Sequence, residues 1–332
     1  FKWSKYFKSV NHRYLPLDKL ENYLETVKKP FCVFITSDFP HGPYPKNSSY
    51  SNEDIFKLPY DKGYIPNFKR GYYQNIKDDN TQLELVLNMV KANNLVENSI
   101  FIYASDHGIS GKWGVAEQGL RVPFVVRWPG VVAPNTVSES LLNFVDVLPT
   151  FLDIIGAEIP SDIDGKSFQA TLKGSQAPVH DYIYSISTRQ NIQACKIFPS
   201  RAVRGKRYKF IRNYNSLEVV ASNYGNNAAV NAFIKIGAES FPNVPFEELY
   251  DLKNDPYQKN NLIKNNDLSP IKEELSEALK QWMLSQNDFL MREQMPLIKP
   301  TLHPLDRVSK WNKVSKDLVG KLSESDYIPV HY

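Results

Sequence analysis

Ser99-Ile-Phe-Ile-Tyr-Ala-Ser105-Asp106-His107-Gly108 is an apolar, β-rich run that stops on an acid, an imidazole and a glycine; Lys112 follows four residues after that glycine. A short apolar run rich in β-branched and aromatic residues and closed by turn formers reads as a buried strand. In open α/β sheets ligands bind beyond the carboxyl ends of such strands. Asp106 and His107 therefore read as half of a cation site, and Lys112 as an anion contact beside them.

Moving toward the N-terminus, residues 72–94 place Leu83, Val86, Leu87 and Val90 at i, i+3, i+4 and i+7, which predicts a helix with one buried face. Asp78 and Asp79 fall on its polar side and read as solvated. Residues 46–70 are loop-like. Phe31-Cys-Val-Phe-Ile-Thr36 reads as a second buried strand, apolar on both faces as parallel strands are, with Cys32 a buried free thiol. Strand, loop, helix and strand then make a right-handed crossover unit. The exit from that first strand is Ser37-Asp-Phe-Pro40-His41-Gly42-Pro43. His41, fixed between prolines and a glycine past a strand end, is placed to act on a ligand; the alternative is a loop histidine without a role. Further upstream, Leu17, Leu20, Tyr23, Leu24 and Val27 predict a short helix that closes at Lys28-Lys29-Pro30.

Downstream of Lys112, Gly119 permits a tight backbone, and Glu117 and Arg121 read as a pair across it that scaffolds the loop. Phe124-Val-Val-Arg-Trp-Pro-Gly130 is a further strand, stopped by Pro129-Gly130. Residues 143–156 predict a helix with Asp146 and Pro149 in its early turns and Gly156 at its end. The segments 162–167 and 173–174 are turn-like and exposed, and a domain boundary is expected near residues 175–180. Short β patterns follow at 182–187, 202–203, 208–211 and 248–252. An amphipathic helix over 270–286 then puts Ile271, Leu275, Leu279 and Trp282 on one face. This predicts a small sheet covered by one helix, an α+β appendage, over residues 178–290, with residues 291–332 wrapping over the surface.

Composition narrows the classes. A formal charge of +4 from 40 basic and 36 acidic residues, scattered along the chain, does not point to nucleic acid. With Cys32 and Cys195 alone there is no disulfide framework and no cysteine metal cluster. No stretch approaches the ~18 apolar residues of a membrane span. Aromatic residues make up 13% of the chain, which suits an aromatic core and, secondarily, carbohydrate-facing surfaces. The opening Phe1-Lys2-Trp3 carries no initiator Met and no signal peptide, and is expected to be the interior of a longer polypeptide or a processed product.

A series of short motifs, each weak alone, recurs in one order and spacing through most of the chain. They are Pro40-His41-Gly42-Pro43, Ser105-Asp106-His107-Gly108, Gly111-Lys112-Trp113, Gly119-Leu-Arg121-Val-Pro123, Trp128-Pro129-Gly130, Asp146-Val-Leu-Pro149-Thr150, Asp164-Gly165-Lys-Ser167 and Glu248-Leu-Tyr-Asp251-Leu-Lys-Asn254-Asp255-Pro256, with Asn261-Leu262 after it. Together they resemble the downstream two-thirds of a type I sulfatase of the alkaline-phosphatase-like superfamily. Phe198-Pro-Ser-Arg201-Ala-Val-Arg204 with Tyr208-Lys209-Phe210-Ile211-Arg212-Asn213 is similar to the heparan N-sulfatase (sulfamidase) branch. The resemblance implies an α/β fold, a mixed sheet between helices, whose catalytic domain takes in residues 1–177. It also implies hydrolysis of a sulfate ester or sulfamate on a sulfated saccharide, in a periplasmic, secreted or lysosome-like compartment.

The resemblance further implies a Ca2+ that gathers the sulfate oxygens, with Asp106 and His107 as two of its ligands, a histidine standing where many relatives have asparagine. Lys112 would hold a sulfate oxygen, and His41 would contact the sulfate and protonate the leaving oxygen or nitrogen. The family's nucleophile is a formylglycine made within Cys/Ser-x-Pro-x-Arg, preceded by an Asp-Asp pair after the first strand. Neither occurs here: Cys195-Lys-Ile-Phe-Pro199-Ser-Arg201 has the wrong spacing, and Ser200-Arg-Ala-Val-Arg204 lacks the proline. The expectation is a fragment that is inactive alone, with the N-terminal segment of the same protein as its missing partner. The competing readings are a phosphatase or phosphonate hydrolase of the same superfamily, whose extra His and Asp metal ligands the six histidines do not supply, and a non-catalytic carbohydrate-binding remnant.

Overall fold

The computed structural model describes residues 5–9, 11, 13–57, 67–108, 114–191, 196–214, 244–292, 294–296 and 327–329. The chain divides into two compact units, Phe1–Phe101 with Val126–Val131, and Ile102–Val125 with Val132–Tyr332.

In the first unit α1 (Leu17–Thr26) buries Leu20 and Leu24, one turn apart on one face. They meet Val86 of α2 (Asn67–Ala92) and Leu95, with Met89, Val90 and Phe101 around them. Each such side chain contributes roughly 1.5–3 kcal/mol when fully buried. The N-terminal part of α2's buried face is polar, since Asn75, Asp79 and Gln82 are all buried. Buried polar groups need partners, and these three find them in loops. Gln82 accepts from the Leu15 N–H at 2.7 Å, and Asp79 accepts from the Ser37 hydroxyl at 2.5 Å. Asp79 is thus a buried loop anchor and not the solvated acid the pattern predicted, whereas Asp78 accepts from Gln74 on its own helix, at 2.9 Å.

Residues 31–36 depart from expectation. They form no strand, Cys32 is exposed, and Phe34 is 66% exposed. An apolar run becomes a buried strand only by joining a sheet, and residues 31–36 belong to none of the sheets among the described residues. The crossover unit expected from it is accordingly not formed. The run ahead of Asp106 does form a strand, β1 (Phe101–Ala104), which shares a two-stranded sheet with β2 (Phe124–Arg127). Having one neighbour, it is only partly covered, and Tyr103 is exposed.

In the second unit α3 (Glu117–Leu120) is a single turn. A 3-10 turn from Phe144 to Asp146 leads into α4 (Val147–Ile154), closed by Gly156 at φ +69°, and α5 (Gln169–Leu172) follows. Further along is a four-stranded antiparallel sheet, β3 (Ile183–Asn191), β4 (Lys196–Arg204), β5 (Tyr208–Asn213) and β6 (Glu247–Asp251), in that order, covered by α6 (Ser269–Ser285). The register pairs Val203 with Phe210 and Phe210 with Leu249, and these three meet Leu275, Leu279 and Met283 of α6. Side chains alternate across a strand, so Ala202, Ile211 and Tyr250 point to the opposite face, where they bury Val115. Of the expected tail, β7 (Gln294–Pro296) pairs antiparallel with β8 (Tyr327–Pro329); nearly all the rest lies outside the described residues.

Candidate functional site

Immediately past β1 the backbone turns through Ser105 to Gly108. The Ser105 hydroxyl donates to the His107 carbonyl at 2.6 Å, and the Gly108 N–H donates to the Gly119 carbonyl at 2.8 Å. A Cβ on Gly108 would lie 2.0 Å from the Gln118 carbonyl oxygen, so only glycine permits this approach. The turn leaves Asp106 at the surface with its side chain 85% exposed, while the His107 side chain is 33% exposed. Asp106 Oδ1 accepts from the His107 N–H at 2.9 Å, and Oδ2 lies 3.8 Å from His107 Nε2. His107 Nδ1 is 2.7 Å from the Gly108 carbonyl oxygen. A carbonyl only accepts, so Nδ1 carries the proton and Nε2 of the neutral ring presents its lone pair. A carboxylate oxygen and an imidazole lone pair converge, and this donor set fits a divalent cation. Two donors do not complete such a site, because hard cations take six to eight ligands. Among the described residues no group of three or more acidic, histidine or cysteine side chains could hold a metal.

His41 belongs to the first unit, and its loop is braced from two sides. Arg13 donates to the His41 carbonyl at 3.0 Å and to the Pro43 carbonyl at 3.1 Å, with its guanidinium 4.4 Å from the Phe39 ring centroid. From α2, the buried Asn75 amide donates to the His41 carbonyl at 3.0 Å. The side chain stays exposed, and its Nδ1 lies 2.8 Å from the Gly42 carbonyl oxygen, which again places the proton on Nδ1 and the lone pair on Nε2. Asp106 and His107 lie together in the second unit, and Lys112 lies outside the described residues.

The loop after the site differs from the predicted pairing. Glu117 does not close on Arg121 through side chains; its carboxylate accepts from Lys209 at 2.7 Å and lies 3.2 Å from Arg204. Arg121 contributes a backbone N–H to the Glu117 carbonyl instead. Lys209 sits 92 positions further along, and only the strand register that turns it to the Val115 face could have found it. Asp146 and His180, likewise not singled out as a pair, meet at 2.9 Å in the same unit.

The family model described as Sulfatase matches residues 15–157, and that of N-sulphoglucosamine sulphohydrolase, C-terminal, matches residues 105–228. An ulvan-active sulfatase from Formosa agariphila is 44% identical over 334 residues, covering 97% of this chain and 67% of its own length. A second ulvan-active sulfatase from that organism is 27% identical over 80% of this chain, which spans 44% of that relative. A structure solved in complex with its substrate, D-glucosamine-2-N,6-O-disulfate, shares the fold at TM-score 0.55 and 23% identity, over 67% of this chain and 42% of that one. The expected α/β, alkaline-phosphatase-like fold class therefore holds. The chain belongs to the sulfatases, as a type I sulfatase of the alkaline-phosphatase-like superfamily.

Proposed function

We propose that these residues are the downstream part of a Ca2+-dependent sulfate-ester or sulfamate hydrolase acting on a sulfated saccharide. What carries the reading is the pair of converging, solvent-facing donors, Asp106 and His107, at the end of β1, in a chain 44% identical to an ulvan-active sulfatase. Asp106 Oδ2 and His107 Nε2 are the two ligands offered among the described residues. A divalent cation bound there gathers the sulfate oxygens and offsets the charge that builds on them. Imidazole is a softer donor than carboxylate, so direct metal analysis is part of the test.

Lys112 holds a sulfate oxygen and offsets charge on the leaving side. His41, its loop carbonyls clamped by Arg13 and Asn75, keeps Nε2 as the atom that takes up a proton and passes it to the leaving oxygen or nitrogen. The motif Cys/Ser-x-Pro-x-Arg does not occur in the 332 residues. The formylglycine nucleophile therefore comes from outside them, and the 332 residues alone do not turn over sulfate. A sulfated polysaccharide such as ulvan is the first substrate class; the match to the N-sulphoglucosamine sulphohydrolase model favours glucosamine N-sulfate as the second. Such polymers place the enzyme in a secreted, periplasmic or lysosome-like compartment.

The test is sulfate release by the full-length protein from ulvan and from glucosamine N-sulfate. Asp106→Asn, His41→Ala and Lys112→Ala are each expected to lower kcat/KM by about 10²-fold or more. Unchanged turnover in all three would remove the site assignment. Sulfate release by the 332 residues alone would remove the external nucleophile, and two zinc ions per protein would move the reading to a phosphatase or phosphonate hydrolase.

A further inference from the structure

We infer that the buried Glu117–Lys209 pair positions the Asp106–His107 turn for cation binding, so that the C-terminal sheet tunes a site to which it supplies no ligand. The inference rests on the reading of Asp106 and His107 as cation ligands.

The connection can be followed atom by atom within the second unit. Phe210 points into the core under α6, so its neighbours Lys209 and Ile211 point to the other face of β5. There Ile211, Ala202 and Tyr250 receive Val115, and Lys209, 1% exposed, donates to Glu117 Oε1 at 2.7 Å. Arg204 Nε lies 3.2 Å from Glu117 Oε2, and the Glu117 N–H donates to Gln258 Oε1 at 2.6 Å. Oε1 and the N–H of one residue are thus held by hydrogen bonds from two segments, with the Arg204 guanidinium beside Oε2. That residue opens α3, and two positions on, the Gly119 carbonyl accepts from the Gly108 N–H. Gly108 in turn offers its own carbonyl to His107 Nδ1, which sets where the Nε2 lone pair points. The link therefore runs from Lys209 through Glu117, α3 and Gly108 to a metal-facing atom.

Stability alone does not account for the pair. Burial pulls the Lys209 pKa down and the Glu117 carboxylate opposes that pull. Apolar residues of similar volume in place of a buried ion pair are often neutral or stabilising. What the pair adds is a fixed distance and direction, the property that partners behind a metal ligand supply.

The test is Ca2+ titration of the full-length protein by calorimetry. Lys209→Met alone takes the hydrogen-bond donor from a buried carboxylate and leaves it facing Arg204, so the pair is replaced together as Glu117→Gln with Lys209→Met. The expected result is a Ca2+ Kd raised about tenfold, at the lower edge of what loss of such a partner costs. Gln258→Leu, which removes only the acceptor for the Glu117 N–H, raises Kd in the same direction. Met283→Ala, which opens the sheet–helix core on the far face, lowers Tm and leaves Kd unchanged. A wild-type Kd in both the double variant and Gln258→Leu overturns the inference, as does an equal rise in Met283→Ala. Ca2+ binding that survives unweakened in Asp106→Ala overturns the ligand assignment itself, and the inference with it.

Discussion

Two Asp–His pairs stand in the second unit and have opposite characters. Asp146 is 0% exposed and lies 2.9 Å from His180 Nε2; Asp106 is 85% exposed and lies 3.8 Å from His107 Nε2. Asp146 has its oxygens taken: Oδ2 by the Asn143 N–H at 2.7 Å, and Oδ1 by the Lys166 N–H at 2.8 Å and by His180. Its backbone carbonyl accepts from the Thr150 hydroxyl, which itself accepts from the Phe168 N–H. A carboxylate with three such partners and no exposed surface is closed to a ligand, and its work is to join the start of α4 to the 165–168 turn and to His180. Asp106 accepts one N–H from its own neighbour and keeps the rest of its lone pairs facing solvent. The same two residue types thus join segments where they are enclosed and leave their donors open to solvent where they are not.

The comparison breaks most easily at the buried end. Asp146→Ala leaves two backbone N–H groups and an imidazole without their acceptor, and is expected to cost about 3–5 kcal/mol, read by urea unfolding. A loss below about 1 kcal/mol would show that water substitutes for the carboxylate and that saturation is not what this pair provides. Gly165 tests the same junction from the other side. A Cβ there would lie 1.9 Å from the Val145 carbonyl oxygen, so Gly165→Ala must move backbone, at an expected cost of about 1–3 kcal/mol in the same measurement.

The legible parts of this molecule are those with a local period. Leu83, Val86, Leu87 and Val90 announced α2, and Leu275 and Leu279 announced α6, though Met283 completes that buried seam in place of Trp282, which is only half-buried. The turn after β1 was legible because polar residues and a glycine crowd the end of a β-rich run. Long-range partners were not: Lys209 reads as a surface cation until register turns it inward, and Asp79 reads as solvated until Ser37 is found above it. Residues 31–36 misled because apolar content reports a capacity for burial, whereas a strand also needs a paired edge.

Asp251 stands between the two extremes and sharpens the rule with pH. It is buried, and Arg207, itself half-exposed, donates to both oxygens, from Nε at 3.1 Å and from Nη2 at 2.7 Å. The Arg207 hydrogen bond holds its pKa below the ordinary 3.8, helped by Asn254 and against the pull of burial. A depressed folded pKa means stability that is present above about pH 3.8 and is lost as pH falls through the lower folded value. With Arg207 half in solvent, screening keeps the pair's contribution small. Arg207→Met is expected to lower stability measurably at pH 6 and not at all in strong acid, where Asp251 is protonated in both proteins. A difference that persists unchanged to pH 2 would mean that Arg207 acts through packing on Tyr208 and not through the carboxylate.

The smallest expected effect belongs to Asp106 and bears most directly on function. An acid this exposed, with one local hydrogen bond, contributes little to the fold, and Asp106→Ala in EDTA should change unfolding free energy by no more than about 0.5 kcal/mol. Binding to the folded state alone stabilises by RT ln(1 + [L]/Kd), about 2.7 kcal/mol at a hundredfold excess over Kd. In the full-length protein, Ca2+ should therefore raise the Tm of the wild type and leave that of Asp106→Ala where EDTA puts it. Equal Ca2+ shifts in the two proteins would mean that open lone pairs at the end of β1 do not by themselves make a cation site, and the contrast with Asp146 would then mark only depth of burial.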